Sequence, residues 1–287
     1  MKFIKVLRPW QWAKNILVVI PALLNKPFSL INIENAFLGF VLFSIFVSGN
    51  YILNDISDIE NDKAHPQKKF RPIANGSIDI KTAKIYSFVL ISLSSIGFYY
   101  FFDFAVLYLL IYLIFSILYT NYLKFNFLIN SLAISFFFLI RLFLGGFISE
   151  IEISFFLSAY IFFTSFFIAV MKKNSILNTT DIENNKYLNI VLKENSVLQL
   201  STLSLASLFL SNVALYVWGF ENYKASGQNS IQYLVLFLVL YFIFTFMLHQ
   251  SSNNGKLEDF VLGIFKDKKL IATSFLLGIS FLIYYFV

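Results

Sequence analysis

Apolar residues run along this chain in blocks too long and too uninterrupted for one face of a soluble helix, and the polar residues gather in the stretches between them. Nine blocks approach the about 17–25 residues that a helix needs to cross the hydrocarbon core of a bilayer. They are roughly Trp12–Leu24, Ala36–Leu53, Ala83–Phe102, Ala105–Tyr119, Leu128–Ile148, Phe155–Val170, Val197–Phe220, Ile231–Leu248 and Leu270–Val287. Such runs predict transmembrane α-helices, because a helix satisfies its own backbone polar groups in lipid. The first block is the shortest, and its charged start imitates a secretory leader. Lys14 and Trp12 stand at its entry, however, and no small-x-small cleavage site follows, so it reads as a retained helix. The expected fold is an all-α integral membrane protein with nine transmembrane helices. No Gly/Ser-rich or Pro-rich linker interrupts the pattern, so residues 1–287 read as a single membrane domain.

Composition agrees and excludes several classes of function. The chain is 58% hydrophobic and 13% charged, against about 25% charged in a soluble domain. Its 37 Phe and 16 Tyr present more apolar surface than one soluble core could hide. With no Cys there is no disulfide framework or thiolate chemistry, and two scattered His argue against zinc, so any metal must be held by oxygen. The net charge of +6 could suggest nucleic acid. Its placement points elsewhere. Lys2, Lys5, Arg8 and Lys14; Lys63, Lys68, Lys69, Arg71, Lys81 and Lys84; Lys124; Lys172, Lys173, Lys186 and Lys193; and Lys256, Lys266, Lys268 and Lys269 fall in alternate connections, whereas the opposite set holds only Lys26 and Lys224. Basic residues are retained on the cytoplasmic side. The N-terminus and the basic loops are therefore expected in the cytoplasm and the C-terminus outside, in the cell (inner) membrane. No nucleic-acid partner is expected.

The connection after the second block concentrates ionisable groups: Asn54, Asp55, Asp58, Glu60, Asp62, Lys63, His65, Lys68, Lys69 and Arg71, with Pro66 and Pro72. If the helix continues to about Asp62, then Asp55, Asp58 and Asp62 stand at i, i+3 and i+7, within about 60° of one another at about 100° per residue. Acids are unfavourable at a helix C-terminus, where the macrodipole is negative, so a stack of three asks for a compensating cation. Carboxylates with an amide neighbour and no His or Cys suit Mg²⁺, whose octahedron is completed by waters and phosphate oxygens. Lys68, Lys69 and Arg71 follow in an irregular, Pro-bracketed segment able to turn back toward the acids and meet phosphate. A solvated loop also carries mixed charge without being a site; the one-face spacing and the bracketed cations favour the site.

Several other polar residues lie near or within the apolar blocks. Arg141 falls inside the fifth, where an arginine costs about 2.5–3.5 kcal/mol on insertion scales and should face the interior, either as a substrate-phosphate contact or as a structural tie. Lys14 and Asn15 open the first block beside Trp10 and Trp12, as substrate contacts or as a snorkelling Lys with interfacial Trp anchors. Gly145 and Gly146 read as a close helix contact. His65 reads as a turn histidine, and His249 carries no assigned role. Asp181-Ile-Glu183-Asn-Asn185-Lys186 weakly echoes Asp58 to Lys63, as an internal repeat or by chance.

Asn54-Asp55-x-x-Asp58-x-x-x-Asp62 at the end of a second span resembles the signature of the UbiA superfamily of membrane prenyltransferases. More narrowly, the chain resembles its decaprenyl-phosphate phosphoribosyltransferase branch. The matching pieces are Leu7-Arg8-Pro9-Trp10-Gln11-Trp12-Ala13-Lys14-Asn15, Asn54 through Gly76, Leu123-Lys124, Leu139-Ile140-Arg141 with Gly145-Gly146, Lys172, and Leu257-Glu258-Asp259. The resemblance implies a nine-helix bundle around a central cavity with a cytoplasmic polar cap. It implies transfer of 5-phosphoribose from phosphoribosyl pyrophosphate to a polyprenyl phosphate with Mg²⁺, in cell envelope biogenesis. By position, Asn54, Asp55, Asp58 and Asp62 would hold the metal, and Lys14, Asn15, Lys68, Lys69, Arg71, Lys124, Arg141 and Lys172 would contact substrate. The chain departs from the family at Lys172-Lys173-Asn174-Ser175-Ile176, where the family's acid is missing.

A phosphate nucleophile is already anionic at neutral pH, which agrees with the lack of a convincing His or Glu base in the spans. The alternative enzyme attaches an isoprenoid from a prenyl diphosphate to an aromatic or other acceptor, and would call for a fuller second acidic motif than Asp181 to Asn185 supplies. A non-enzymatic lipid-binding or transport protein would place its acids near mid-membrane, whereas Asp55 to Asp62 lie at an edge.

Overall fold

The structure is a computed structural model that describes residues 2–25, 29–64, 68–177, 197–226, 231–254, 264 and 267–286. His65, Pro66, the Asp181 to Lys186 echo and Leu257 to Asp259 lie outside the described residues. The described elements are all helical. In chain order they are α1 (Lys2–Leu7), a 3₁₀ segment (Pro9–Val18), α2 (Ile20–Leu24), α3 (Leu30–Ser57), α4 (Ile59–Ala64), α5 (Ile80–Phe102), α6 (Val106–Asn121), α7 (Phe127–Ile148), α8 (Phe155–Leu177), α9 (Val197–Ser226), α10 (Ile231–Asn253) and α11 (Lys268–Phe286).

Among the described residues seven stretches are long and apolar enough to cross a membrane: Leu30–Ser57, Ile80–Asn121, Phe127–Ile148, Phe155–Ser175, Gln199–Lys224, Ile231–Asn253 and Lys268–Tyr285. The expected third and fourth spans both fall in Ile80–Asn121, as α5 and α6 joined by a short 3₁₀ turn that starts at Asp103, φ 47°. The expected first span is different in kind. It is ten residues of 3₁₀ helix followed by the five-residue α2, because Pro9 and Pro21 each withhold a backbone donor and divide the segment into short turns. Side chains that a soluble protein would hide stand outward on the long helices: Phe88, Tyr99 and Tyr100 on α5 are 72%, 68% and 79% exposed. That surface requires an apolar solvent.

The chain divides into two compact units: residues 1–124 with 137–153, and residues 125–136 with 154–287. In the first, Phe43, Phe46 and Val47 of α3 pack with Phe98 of α5, Leu109 and Tyr112 of α6, and Leu144 and Ile148 of α7. A smaller cluster of Val6, Ile52, Ile73, Ile78 and Ala83 packs beneath the segment that follows α3. Gly145 lets α7 approach the N-terminal segment, since a β-carbon there would stand 2.3 Å from the Val18 carbonyl oxygen. That is the close contact expected of Gly145. In the second unit Phe166 and Val170 of α8 pack with Phe127 and Leu200, and Phe167 and Met171 pack with Leu208, Leu248 and Leu270.

Candidate active site

The acid-bearing segment begins as the last turn of a long helix. Ser29 caps the start of α3 by accepting from the Asn32 backbone N–H at 3.3 Å, and the helix runs without a break to Ser57. Asp58 then leaves helical geometry at φ −99°, ψ 9°. α4 resumes at once, and the Asp62 N–H still donates to the Asp58 carbonyl at 2.8 Å. The continuous helix expected as far as Asp62 is therefore interrupted at Asp58, and the three carboxylates part.

Asp55 and Asp62 turn inward, 4% and 2% exposed. Both accept from one atom: Arg71 Nη1 lies 3.1 Å from Asp55 Oδ1 and 2.6 Å from Asp62 Oδ2. Arg71 reaches them because Lys68–Phe70 forms a turn of 3₁₀ helix, after which the Arg71 N–H donates to the Lys68 carbonyl at 2.9 Å. Lys68 to Arg71, the described part of the segment expected to turn back, thus does so. Asp58 pairs instead with Lys124 Nζ at 2.5 Å, across 66 positions of sequence. Asn54 Oδ1 accepts from Thr120 Oγ1 at 2.7 Å. Among the described residues no three acidic or His groups gather at one point.

The remaining cations differ in how tightly they are held. Lys68 and Lys69 are exposed, Lys69 standing 5.2 Å over the Phe70 ring. The Lys68 ammonium is held below the usual lysine range, first by desolvation and then by repulsion from Arg71, against the attraction of Asp62 and Asp58. An anion arriving there would restore its affinity for the proton. Lys14 is exposed, whereas its neighbour Asn15 is buried, donating to Ser44 Oγ at 3.0 Å and accepting from Arg141 Nε at 2.8 Å. Arg141 also donates to the Phe137 carbonyl at 2.6 Å and to the Tyr112 hydroxyl at 3.1 Å, and it lies over the rings of Phe43, Tyr112 and Phe138. All three of its nitrogens are engaged by the protein, which is the structural tie. Lys172 is exposed near the end of α8 in the second unit, next to the half-buried Lys173, which donates to Ser131 Oγ and the Phe127 carbonyl at 3.2 Å each.

One residue of this cluster carried no assigned role from sequence, standing only in the cytoplasmic charge tally and in the matching stretch Leu7 to Asn15. Arg8 Nη2 donates to Asp55 Oδ1, and its guanidinium lies 5.4 Å from the centre of the Tyr51 ring. The available signal was the Arg-Pro pair opening the N-terminal segment, but nothing local reports a contact 47 positions away.

Residues 16–266 match the UbiA prenyltransferase family. The chain belongs to that family. Among UbiA-related sequences it is 30% identical over 183 residues to decaprenyl-phosphate phosphoribosyltransferase of Mycobacterium tuberculosis, covering 62% of this chain and 61% of that protein. It is 40% identical over 94 residues to the enzyme of the same name from Corynebacterium glutamicum, covering 32% and 28%. The matches thus span about three-fifths or less of these relatives. In fold it is similar to a UbiA homologue from Archaeoglobus fulgidus bound to GPP and Mg²⁺, with a TM-score of 0.70 and 15% identity over 100% of this chain and 98% of that one. The homologue's DMAPP and Mg²⁺ complex gives a TM-score of 0.71 at 15% identity, with the same coverage of both chains.

The cluster offers a divalent metal oxygen donors of its own. Two carboxylates meet within hydrogen-bond reach of one nitrogen. Two carboxylates are what Mg²⁺ takes from protein when waters and phosphate oxygens complete its shell. The donor set fits.

Proposed function

We propose that this protein transfers 5-phosphoribose from phosphoribosyl pyrophosphate to a polyprenyl phosphate, releasing pyrophosphate. The observation that carries the proposal is the convergence of Asp55 and Asp62 on Arg71, with Lys68 in electrostatic reach of Asp62 and Lys124 paired to the neighbouring Asp58. That is the charge pattern of a metal–pyrophosphate site. The choice of donor and acceptor is supported by the names of the relatives. Asp55 and Asp62 would hold Mg²⁺, with Asn54 and Asp58 beside them. Bound there, the metal supplies Lewis-acid neutralisation of the pyrophosphate.

The chain's own residues do the rest. Arg71 orients a pyrophosphate oxygen with parallel N–H donors, and Lys68 and Lys69 add point charge as the C1–oxygen bond of the ribose breaks and negative charge collects on the leaving group. The lipid phosphate, already anionic, attacks C1 without a protein base. Lys124, released from Asp58, and the exposed Lys14 serve the substrates' other phosphates. Arg141 acts by holding Asn15. The polar site faces the cytoplasm, where a soluble donor is available, and the polyprenyl chain reaches it from the lipid.

The family description supports a second reading, in which the same site ionises a prenyl diphosphate and attaches the isoprenoid to an aromatic or other acceptor. One experiment separates the two. The purified protein with Mg²⁺ is given phosphoribosyl pyrophosphate and a polyprenyl phosphate and, in parallel, a prenyl diphosphate and an aromatic acid. Lipid-linked phosphoribose that disappears in Asp58→Asn is the expected result; prenylated aromatic product alone would overturn the proposal.

A further inference from the structure

Asp55 Oδ1 accepts from two guanidiniums at once, Arg8 Nη2 and Arg71 Nη1. With both lone pairs of Oδ1 so engaged, that oxygen is open to another cation only if one guanidinium leaves it. Arg71 has a second and shorter partner in Asp62 Oδ2, 2.6 Å against 3.1 Å. Arg8 makes its ion pair with Asp55 and otherwise lies on the Tyr51 ring. A metal held between Asp55 and Asp62 would compete with Arg71 at both acids but with Arg8 at Asp55 alone, so Arg8 is the cation that can move away while Arg71 still covers the second acid.

The backbone at Arg8 determines what the displaced group can do. Its φ of 52° and ψ of 57° are left-handed, a conformation that a long non-Gly side chain adopts only where its surroundings impose it. Ser48 Oγ donates to the Leu7 carbonyl at 2.8 Å and accepts from Trp12 Nε1 at 3.0 Å, fastening the chain on both sides of Arg8 to α3. Pro9 fixes the next φ. The main chain is thus held, and only the side chain is free to swing, so the released guanidinium stays within reach of whatever anion accompanies the metal.

We propose that Arg8 is an exchangeable counter-ion: it holds Asp55 against a metal arriving alone and passes to the pyrophosphate when metal and pyrophosphate arrive together. The site then discriminates against free divalent cation and favours the metal–pyrophosphate unit. This inference rests on the proposed metal–pyrophosphate reading of the site, but not on which donor or acceptor it serves.

The test is equilibrium binding to the full chain in detergent, with Mn²⁺ as an electron-spin-resonance probe, alone and with inorganic pyrophosphate. Arg8→Asn removes the cation while tolerating the left-handed backbone, since Asn is enriched in that region. A hydrogen bond to a charged group corresponds to roughly 10- to 100-fold in affinity. Arg8→Asn is therefore expected to bind Mn²⁺ alone about tenfold tighter and Mn²⁺ with pyrophosphate at least tenfold more weakly. Arg8→Lys, which keeps the charge and loses the fork, shifts both in the same opposite senses by less, and reads the same question if Arg8→Asn does not fold. Equal weakening of both affinities, or no change in either, would overturn the proposal, because a merely structural Arg8 moves them together. Pyrophosphate is released from either donor, so opposite shifts beside a failed phosphoribosyl assay would remove the proposed reaction and keep the role of Arg8. Parallel shifts beside a successful assay would do the reverse.

Discussion

Replacing Gly145 by Ala sets two effects of known sign against each other. In a helix interior the change gains about 1 kcal/mol of propensity. Against that, the new β-carbon would stand 2.3 Å from the Val18 carbonyl oxygen, 2.8 Å from its carbon and 2.9 Å from its α-carbon, where ordinary contact begins at 3.4 Å. All three are main-chain atoms, so no rotamer change relieves the overlap and α7 and the N-terminal segment must part by roughly 1 Å. Overpacking of this kind costs about 1–3 kcal/mol, with a rigid backbone obstacle at the upper end. The net expectation is a loss of about 2 kcal/mol, or roughly 4–8 °C in melting temperature at about 2–4 °C per kcal/mol. Gly278 on α11 supplies the control, since a β-carbon there meets nothing within 4 Å. Gly278→Ala should keep the propensity gain and melt at or slightly above wild type. A thermal-shift series in one detergent measures both. Should the two variants melt within about 1 °C of each other, the close approach at Gly145 is not a determinant of stability and the reasoning fails.

Other outcomes follow from the acid cluster. Asp62→Asn leaves Arg71 its longer ion pair, with Asp55, and should reduce transfer by at least 100-fold while binding of the lipid acceptor, measured separately, is retained. Asn15→Leu strips Arg141 Nε of its acceptor and should cost about 1–3 kcal/mol in detergent stability, read by the same thermal shift. Lys68 gives a pH dependence of defined sign. Its folded pKa is depressed, so the charged form strains the fold below the folded pKa, and this strain fades as pH rises toward the ordinary lysine range. Lys68→Gln should therefore melt above wild type at neutral pH and converge with it in alkali; a gap that widens with pH refutes the assignment.

The acids were legible because their signal is local. Asp55, Asp58 and Asp62 keep a spacing that any reader of helix periodicity can see, and the cations that follow are bracketed by proline. What they touch was less legible, because the partners are distant in sequence: Lys124 for Asp58, Thr120 for Asn54, Arg8 for Asp55. The helix break at Asp58 escaped for a related reason. Nothing in Ser57-Asp58-Ile59 forbids a helix, and it is tertiary pairing of Asp58 with Lys124 that accompanies the break. Hydropathy marked the long spans well, but it measures composition and not helix type, so it could not separate a 3₁₀ segment at Pro9–Val18 from a short transmembrane helix. Arg141 was recognisable as an interior arginine from its position alone. Its neutral partners, an amide, a carbonyl and a phenol, carry no sequence signal of their own.

Those partners share one property. Asn15, Phe43, Tyr112, Phe137 and Phe138 all precede Arg141 in the chain. A ribosome extending this protein has made every group that receives the guanidinium before it makes the arginine itself. α7 can therefore enter the bilayer beside acceptors already in place, and the about 2.5–3.5 kcal/mol that a solitary arginine would cost in lipid need never be met in full. The order of synthesis is built into the geometry of one side chain.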